Sequence, residues 1–121
     1  MKRFRFKKFK VYQDAKMFCS LTNKIIKDNI INKEPKLADQ ISRATISIIL
    51  NIAEGSGSSS DIEFARYITI SIKSAYEVVA GFDIALQLNL IKIQDNKLIE
   101  DKVLELVKQL SAFKKKLKTN H

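Results

Sequence analysis

A chain of 121 residues has room for one domain built on one buried core. Its 45% apolar content, three glycines and single proline exclude an intrinsically disordered chain and favour a helix-rich globular one. The net charge of +9 is held at the two ends: residues 1–10 carry six Lys or Arg and residues 111–121 carry four Lys, with no acidic residue in either, whereas the body holds 12 basic and 13 acidic residues.

Read in chain order, residues 1–10 are a basic arm in which Phe4, Phe6 and Phe9 alternate with Lys2, Arg3, Arg5, Lys7, Lys8 and Lys10. The one strand-like stretch of the chain lies around Phe4–Phe6. From residue 11 the apolar period becomes 3.6. A first helix over 11–30 carries Val11, Ala15, Phe18, Thr22, Ile25, Ile26 and Asn29 along one side, and Asn32, Lys33 and Pro35 end it.

A second helix over 37–54 has two apolar stripes, roughly 130° apart at 100° per residue. Leu37, Ile41, Ala44, Thr45, Ile48 and Ile52 form one; Ile46, Ile49, Leu50 and Ala53 form the other. A polar strip of Gln40, Arg43, Ser47, Asn51 and Glu54 separates them on the far side. No helix of a four-helix domain is fully central, so the second stripe predicts burial against another subunit. The strip is expected to fix helix register through hydrogen bonds.

Gly55 follows the last periodic residue, where a left-handed C-terminal cap favours glycine. Ser60-Asp61-Ile62-Glu63 has the spacing of a capping box and opens a third helix over 61–88. Phe64, Ala65, Ile68, Ile72, Ala75, Val79, Phe82 and Leu86 form its core stripe. Beside them Tyr67, Ser71, Ser74, Val78, Gly81 and Ala85 are mostly small, which lets a neighbouring helix, of the same chain or another, approach closely. Ile46, Ile49, Leu50, Ala53, Tyr67, Ser74 and Val78 are therefore the candidate oligomer contacts. A fourth helix over 96–118 carries Ile99, Val103, Leu106, Val107, Leu110, Phe113 and Leu117. Four such helices with short connections predict a single all-α domain, an antiparallel up-down-up-down four-helix bundle spanning residues 1–121.

Catalytic chemistry finds little support. The single His is His121 and the single Cys is Cys19, too few for an ordinary transition-metal site, a disulfide, or a Cys/His or Ser/His nucleophile. The run GSGSSS at 55–60 lacks the Lys-Ser/Thr ending of a phosphate-binding P-loop and follows no strand. No enzyme activity, metal or cofactor is expected. Neither a membrane span nor a signal-peptide apolar stretch is present, so a cytoplasmic protein with no membrane partner is expected.

The run from Leu37 to Ser60 resembles the four-helix-bundle proteins encoded in intervening sequences of bacterial large-subunit ribosomal RNA genes. Their pattern, roughly Q-I-R-R-A-x-x-S-I-x-x-N-I-A-E-G, is met by Gln40, Ile41, Arg43, Ala44, Ser47, Ile48, Asn51, Ile52, Ala53, Glu54 and Gly55. Val11-Tyr12 and Ala15 are similar to the family's N-terminal element, and Phe64-Ala65-Arg66 follows the motif as expected. The chain departs from the pattern at Ser42, at Ile49-Leu50 and at Ser58-Ser59, where the family commonly has a basic residue, Pro-Ser and further basic residues. The resemblance implies the bundle fold. Through the related accessory variability determinant of diversity-generating retroelements, it also implies a homopentamer that partners a reverse transcriptase and nucleic acid.

In an up-down-up-down bundle the arm, the 55–60 corner and the end of the fourth helix share one end. Lys2, Arg3, Arg5, Lys7, Lys8, Lys10, Lys114, Lys115, Lys116 and Lys118 then converge, a pattern suited to a polyanion. Arg66 and Lys73, on the outer side of the third helix, and Arg43 complete the candidate nucleic-acid contacts. The arm's phenylalanines either stack on bases or anchor the arm to the bundle. The expected function is a non-enzymatic homo-oligomer, pentameric by resemblance, that binds RNA or DNA with little sequence specificity. The alternative is a protein-interaction scaffold such as an accessory subunit of a retroelement reverse transcriptase.

Overall fold

Pro35 begins a helix as well as ending the turn before it. At the first helical position its missing N–H has no partner to lose and its fixed φ already suits the helix. The computed structural model describes residues 3–119. In it α1 spans Lys10–Asn29, α2 Pro35–Ser56, α3 Asp61–Gln87 and α4 Ile93–Thr119. Instead of a strand, the arm forms one 3-10 turn, Arg5–Lys8, ahead of α1.

Each helix packs on two neighbours, in the cycle α1–α2–α3–α4–α1, with α2 against α3 the most extensive contact. That contact runs antiparallel. Going up α2 and down α3, Ile41 meets Gly81, Ser47 meets Ser74 with hydroxyls 2.8 Å apart, and the Ser71 hydroxyl donates to the Ile48 carbonyl at 2.9 Å. The helices α1 and α4 are antiparallel too, with Gln109 Nε2 donating to Asp14 at 2.9 Å and Phe9 beside Phe113. Inside the cycle lie Ile41, Ile48, Ile52, Ile68, Phe82, Ile99 and Leu110, all fully buried. The predicted stripes supply most of the core, but Leu37, Ile72, Val79, Leu86, Val107 and Phe113 are half-buried at its margin, and Ala38, Ser71, Val78, Gly81 and Ala85 are buried in it. Asn29 is exposed, and Ile30, one residue past α1, is buried in its stead.

The small-residue stripe of α3 faces α2 of the same chain. Ser71 and Val78 are completely buried and Ser74 nearly so, which places Ser74 and Val78 inside the protomer rather than on its surface. Gly55 does not take the left-handed cap conformation; it is helical, and no glycine among the described residues has a positive φ. What it provides is a close approach. A Cβ there would stand 2.7 Å from Phe64 Cδ1 and 2.8 Å from Tyr67 Cβ. Within the polar strip of α2, Ser47 and Gln40 set register by bonding to Ser74 and Glu77 of α3, whereas Asn51 and Arg43 bond back along α2 itself. Asn51 Nδ2 donates to the carbonyl of Ser47 at 2.8 Å and to its hydroxyl at 3.0 Å, and Gln40 donates to Glu77 across the α2–α3 edge.

Ser60 caps α3, its hydroxyl accepting from the Glu63 N–H at 3.1 Å. Ser60→Ala is expected to lower stability by about 1 kcal/mol, the usual value of such a cap, read from the urea midpoint at an unchanged slope. An unchanged midpoint would show that the corner holds α3 without it. Among the described residues no helix is long and apolar enough to cross a membrane.

Candidate functional site

Three aromatic rings gather one end of the bundle. Phe9 stands at the start of α1, Phe64 in the first turn of α3 and Phe113 near the end of α4. Phe9 and Phe113 have centroids 5.3 Å apart, Phe64 and Phe113 5.2 Å, and Phe9 and Phe64 6.4 Å. These spacings suit favourable edge and offset aromatic packing. The cluster draws the arm, the α2–α3 corner and the last turns of α4 together, as the topology predicted.

Arg5 seals this end rather than facing solvent freely. Its guanidinium lies 5.9 Å from the Phe9 centroid and 5.7 Å from that of Phe64, and Nη2 donates to the Ser56 carbonyl at 3.3 Å. Phe6 packs edge-on to Tyr12 at 4.9 Å, and Gln13 Nε2 donates to the Lys7 carbonyl at 3.0 Å, so both fix the arm to α1. Phe6 and Phe9 are thus anchors. Phe4 is different: it is 65% exposed and holds a positive φ of 53°, a conformation uncommon for a bulky residue.

Around this end Arg3, Lys7, Lys8, Lys115, Lys116 and Lys118 are exposed and Lys114 is half-buried. Arg66, Lys114 and Lys118 line one cleft of about 270 Å³ between α3 and α4, with Thr69 on its wall. Among the described residues the ion pairs are four helical i,i+4 pairs, and only two involve a predicted contact: Lys10 with Asp14 at 2.6 Å, and Arg43 with Asp39 at 2.8 Å. The hydrogen bond from Lys10, joined by that from Gln109, holds the Asp14 carboxyl below its ordinary value, and the same bond to Asp14 raises Lys10. Charge on Lys10 is therefore already matched locally. The other cations of this end form no ion pair with another of the described residues.

Two predicted contacts lie elsewhere. Arg43 sits twelve residues before Gly55, about 18 Å along α2, and is held by its own helix. Lys73 is exposed on α3, about 10 Å beyond Arg66. Lys2 lies outside the described residues. What the sequence reading missed is the structural use of Arg5 and a hollow of about 840 Å³ between the arm and the 53–58 segment. The alternation of Phe with cations in FRFKKF was the available signal, since rings spaced that way can clasp a guanidinium as well as a base.

Residues 7–112 match the family model described as the 23S rRNA-intervening sequence protein, and the chain belongs to that family. The bundle superposes with a TM-score of 0.79 on a crystal structure from Bacteroides thetaiotaomicron, described as a protein of unknown function from the S23 ribosomal protein family. The two share 22% identity over 87% of this chain and 98% of the other, a likeness of fold. No curated protein matches the chain.

Proposed function

We propose that this chain is a non-enzymatic nucleic-acid-binding member of its family, laying an RNA or DNA backbone across the basic end of the bundle with little sequence preference. The observation that carries this reading is the gathering of Arg3, Lys7, Lys8, Arg66, Lys114, Lys115, Lys116 and Lys118 at one end with no ion-pair partner among the described residues. Unmatched cations there attract phosphates and release condensed counterions on contact. The test is filter binding of single- and double-stranded oligonucleotides across a salt series. Arg3, Lys7, Lys8, Lys114, Lys115, Lys116 and Lys118 are changed together to Gln. Substitution is preferred to truncation because Leu117, between two of them, is a core residue only 7% exposed. Binding should fall by about a hundredfold or more at low salt. Unchanged binding would overturn the reading and leave the protein scaffold.

The protein acts on this reading as a homo-oligomer, a pentamer by family resemblance, which multiplies weak phosphate contacts by valency. Ile46 and Leu50 support assembly, being 46% and 51% exposed on the outer face of α2, beside half-buried Ile49 and Ala53. Tyr67 is half-buried at the α3 edge, whereas Ser74 and Val78 drop out of the interface. Light scattering should give a multiple of the 13.8 kDa chain mass, and Leu50→Glu should return the monomer. A monomeric parent protein would refute assembly through this face.

A further inference from the structure

A surface that only held phosphates would have no use for the carboxylate of Glu54. Glu54 is exposed and lines the hollow of about 840 Å³ together with Arg3, Phe4, Arg5, Phe6 and Ser58. That volume is in the range of small-molecule sites. Although two guanidinium groups line the same hollow, Glu54 has no ion pair among the described residues. Arg5 is committed elsewhere, to Ser56 and the two rings. The Ser58 hydroxyl oxygen is buried and has no hydrogen-bond partner. Phe4 is exposed at the rim, with Lys7 Nζ over its ring at 5.6 Å from the centroid and Phe6 in edge contact at 6.2 Å, from a backbone conformation that bulky residues rarely adopt.

Resting on the nucleic-acid reading above, we propose that this hollow takes one unpaired guanine base of the bound strand. Each element of the hollow answers a part of that ligand. An exposed ring offers a stacking platform, which any base can use. The carboxylate selects among bases, because it accepts only. Guanine alone carries two adjacent donors, N1–H and the 2-amino group, on its pairing edge, matching the two oxygens of a carboxylate. Adenine and cytosine offer one amino group there, beside a lone-pair nitrogen that repels the carboxylate. Uracil offers one N–H flanked by carbonyls. Bases splayed from single strands are read at these edges. Arg3 remains for the adjoining phosphate. Binding that is otherwise indifferent to sequence thereby acquires a preference at one position.

The experiment compares a labelled hexauridylate with the same hexamer carrying one central guanosine or one central inosine, which lacks the 2-amino group. Anisotropy is measured at fixed salt on the full chain. The guanosine hexamer should bind about tenfold tighter than hexauridylate, the usual scale of a two-bond base contact, and inosine should lose most of that gain. Glu54→Gln should bring the guanosine-to-uridine ratio to one while hexauridylate still binds, and Phe4→Ala should reduce affinity for all three. Glu54 is at the surface, so its variant keeps the fold, checked by an unchanged circular dichroism melt. Equal affinity of the parent protein for the three hexamers overturns the proposal, as does a ratio that survives Glu54→Gln. If no hexamer binds at all, it is the nucleic-acid reading that fails. The hollow is then judged alone by titrating guanosine monophosphate against uridine monophosphate. Amide shifts at Gly57 and Ser58 confined to the guanine nucleotide sustain the base site, and their absence ends it.

Discussion

Phe64→Ala is expected to remove about 3–5 kcal/mol of stability, the largest loss from any single change at this end of the bundle. The ring is 2% exposed and lies against Phe9 and Phe113, with Arg5 5.7 Å from its centroid. Gly55 is bare so that this ring fits: a Cβ there would meet Cδ1 at 2.7 Å and Cε1 at 3.0 Å. No large neighbour stands ready to fill the gap, since the opposing residue is glycine and the other two contacts are rings fixed in α1 and α4. A small domain has only about 5–15 kcal/mol in total, so the variant sits near the unfolding threshold. Urea denaturation followed by circular dichroism measures the loss. Phe4→Ala, at a ring 65% exposed, is the matched control and should cost little. A Phe64→Ala loss below about 1 kcal/mol would mean that the cluster does not hold the bundle end together.

The second large effect is on binding. Each cation that truly contacts a phosphate contributes about 0.9 to the slope of log affinity against log salt on a duplex, and about 0.7 on a single strand. Changing Arg3, Lys7, Lys8, Lys114, Lys115, Lys116 and Lys118 to Gln should therefore flatten the slope by several units as well as weaken binding. Net charge must be separated from position. A second variant changes Lys24, Lys27, Lys33, Lys36, Lys92, Lys97 and Lys102 to Gln, an equal loss of charge near the opposite end, where α1 and α3 finish and α2 and α4 begin. It should keep nearly the full slope. Equal flattening in both variants would show diffuse attraction to a basic protein with no particular binding end.

Sequence and structure agree most closely where one helix's own periodicity decides the matter. Ile48, Ile52, Ile68, Phe82, Val103 and Leu110 were assigned to the core on a 3.6 period and are buried there. Agreement weakens where two elements must be paired. The spacing of Ser71, Ser74, Val78 and Gly81 announces a close helix neighbour, but not that α2 of the same chain fills the role, which only Ile41, Ser47 and Ile48 in contact establish. Gly55 stands out in the sequence, yet a cap conformation and a tight approach demand the same missing side chain, and the approach to Phe64 is what the structure uses. Pro35 illustrates the boundary problem: the rule that ends one helix before proline serves equally to start the next. Convergence of the basic ends followed from topology alone. Arg43 reads in the sequence as a nucleic-acid contact, although its i,i+4 spacing to Asp39 already offers the carboxylate that holds it. The hollow beside Glu54 was not legible, since it depends on how the arm folds back over the corner.

The three rings at positions 9, 64 and 113 come from near the front, the middle and near the back of the sequence. Closing them joins segments far apart along the chain, the kind of contact that forms late because loop entropy must be overcome first. Before that closure the arm and the last turn of α4 are two unrelated runs of lysine and arginine. Afterwards they are one arranged surface, so the charge of this protein acquires a shape only when nearly the whole domain has folded.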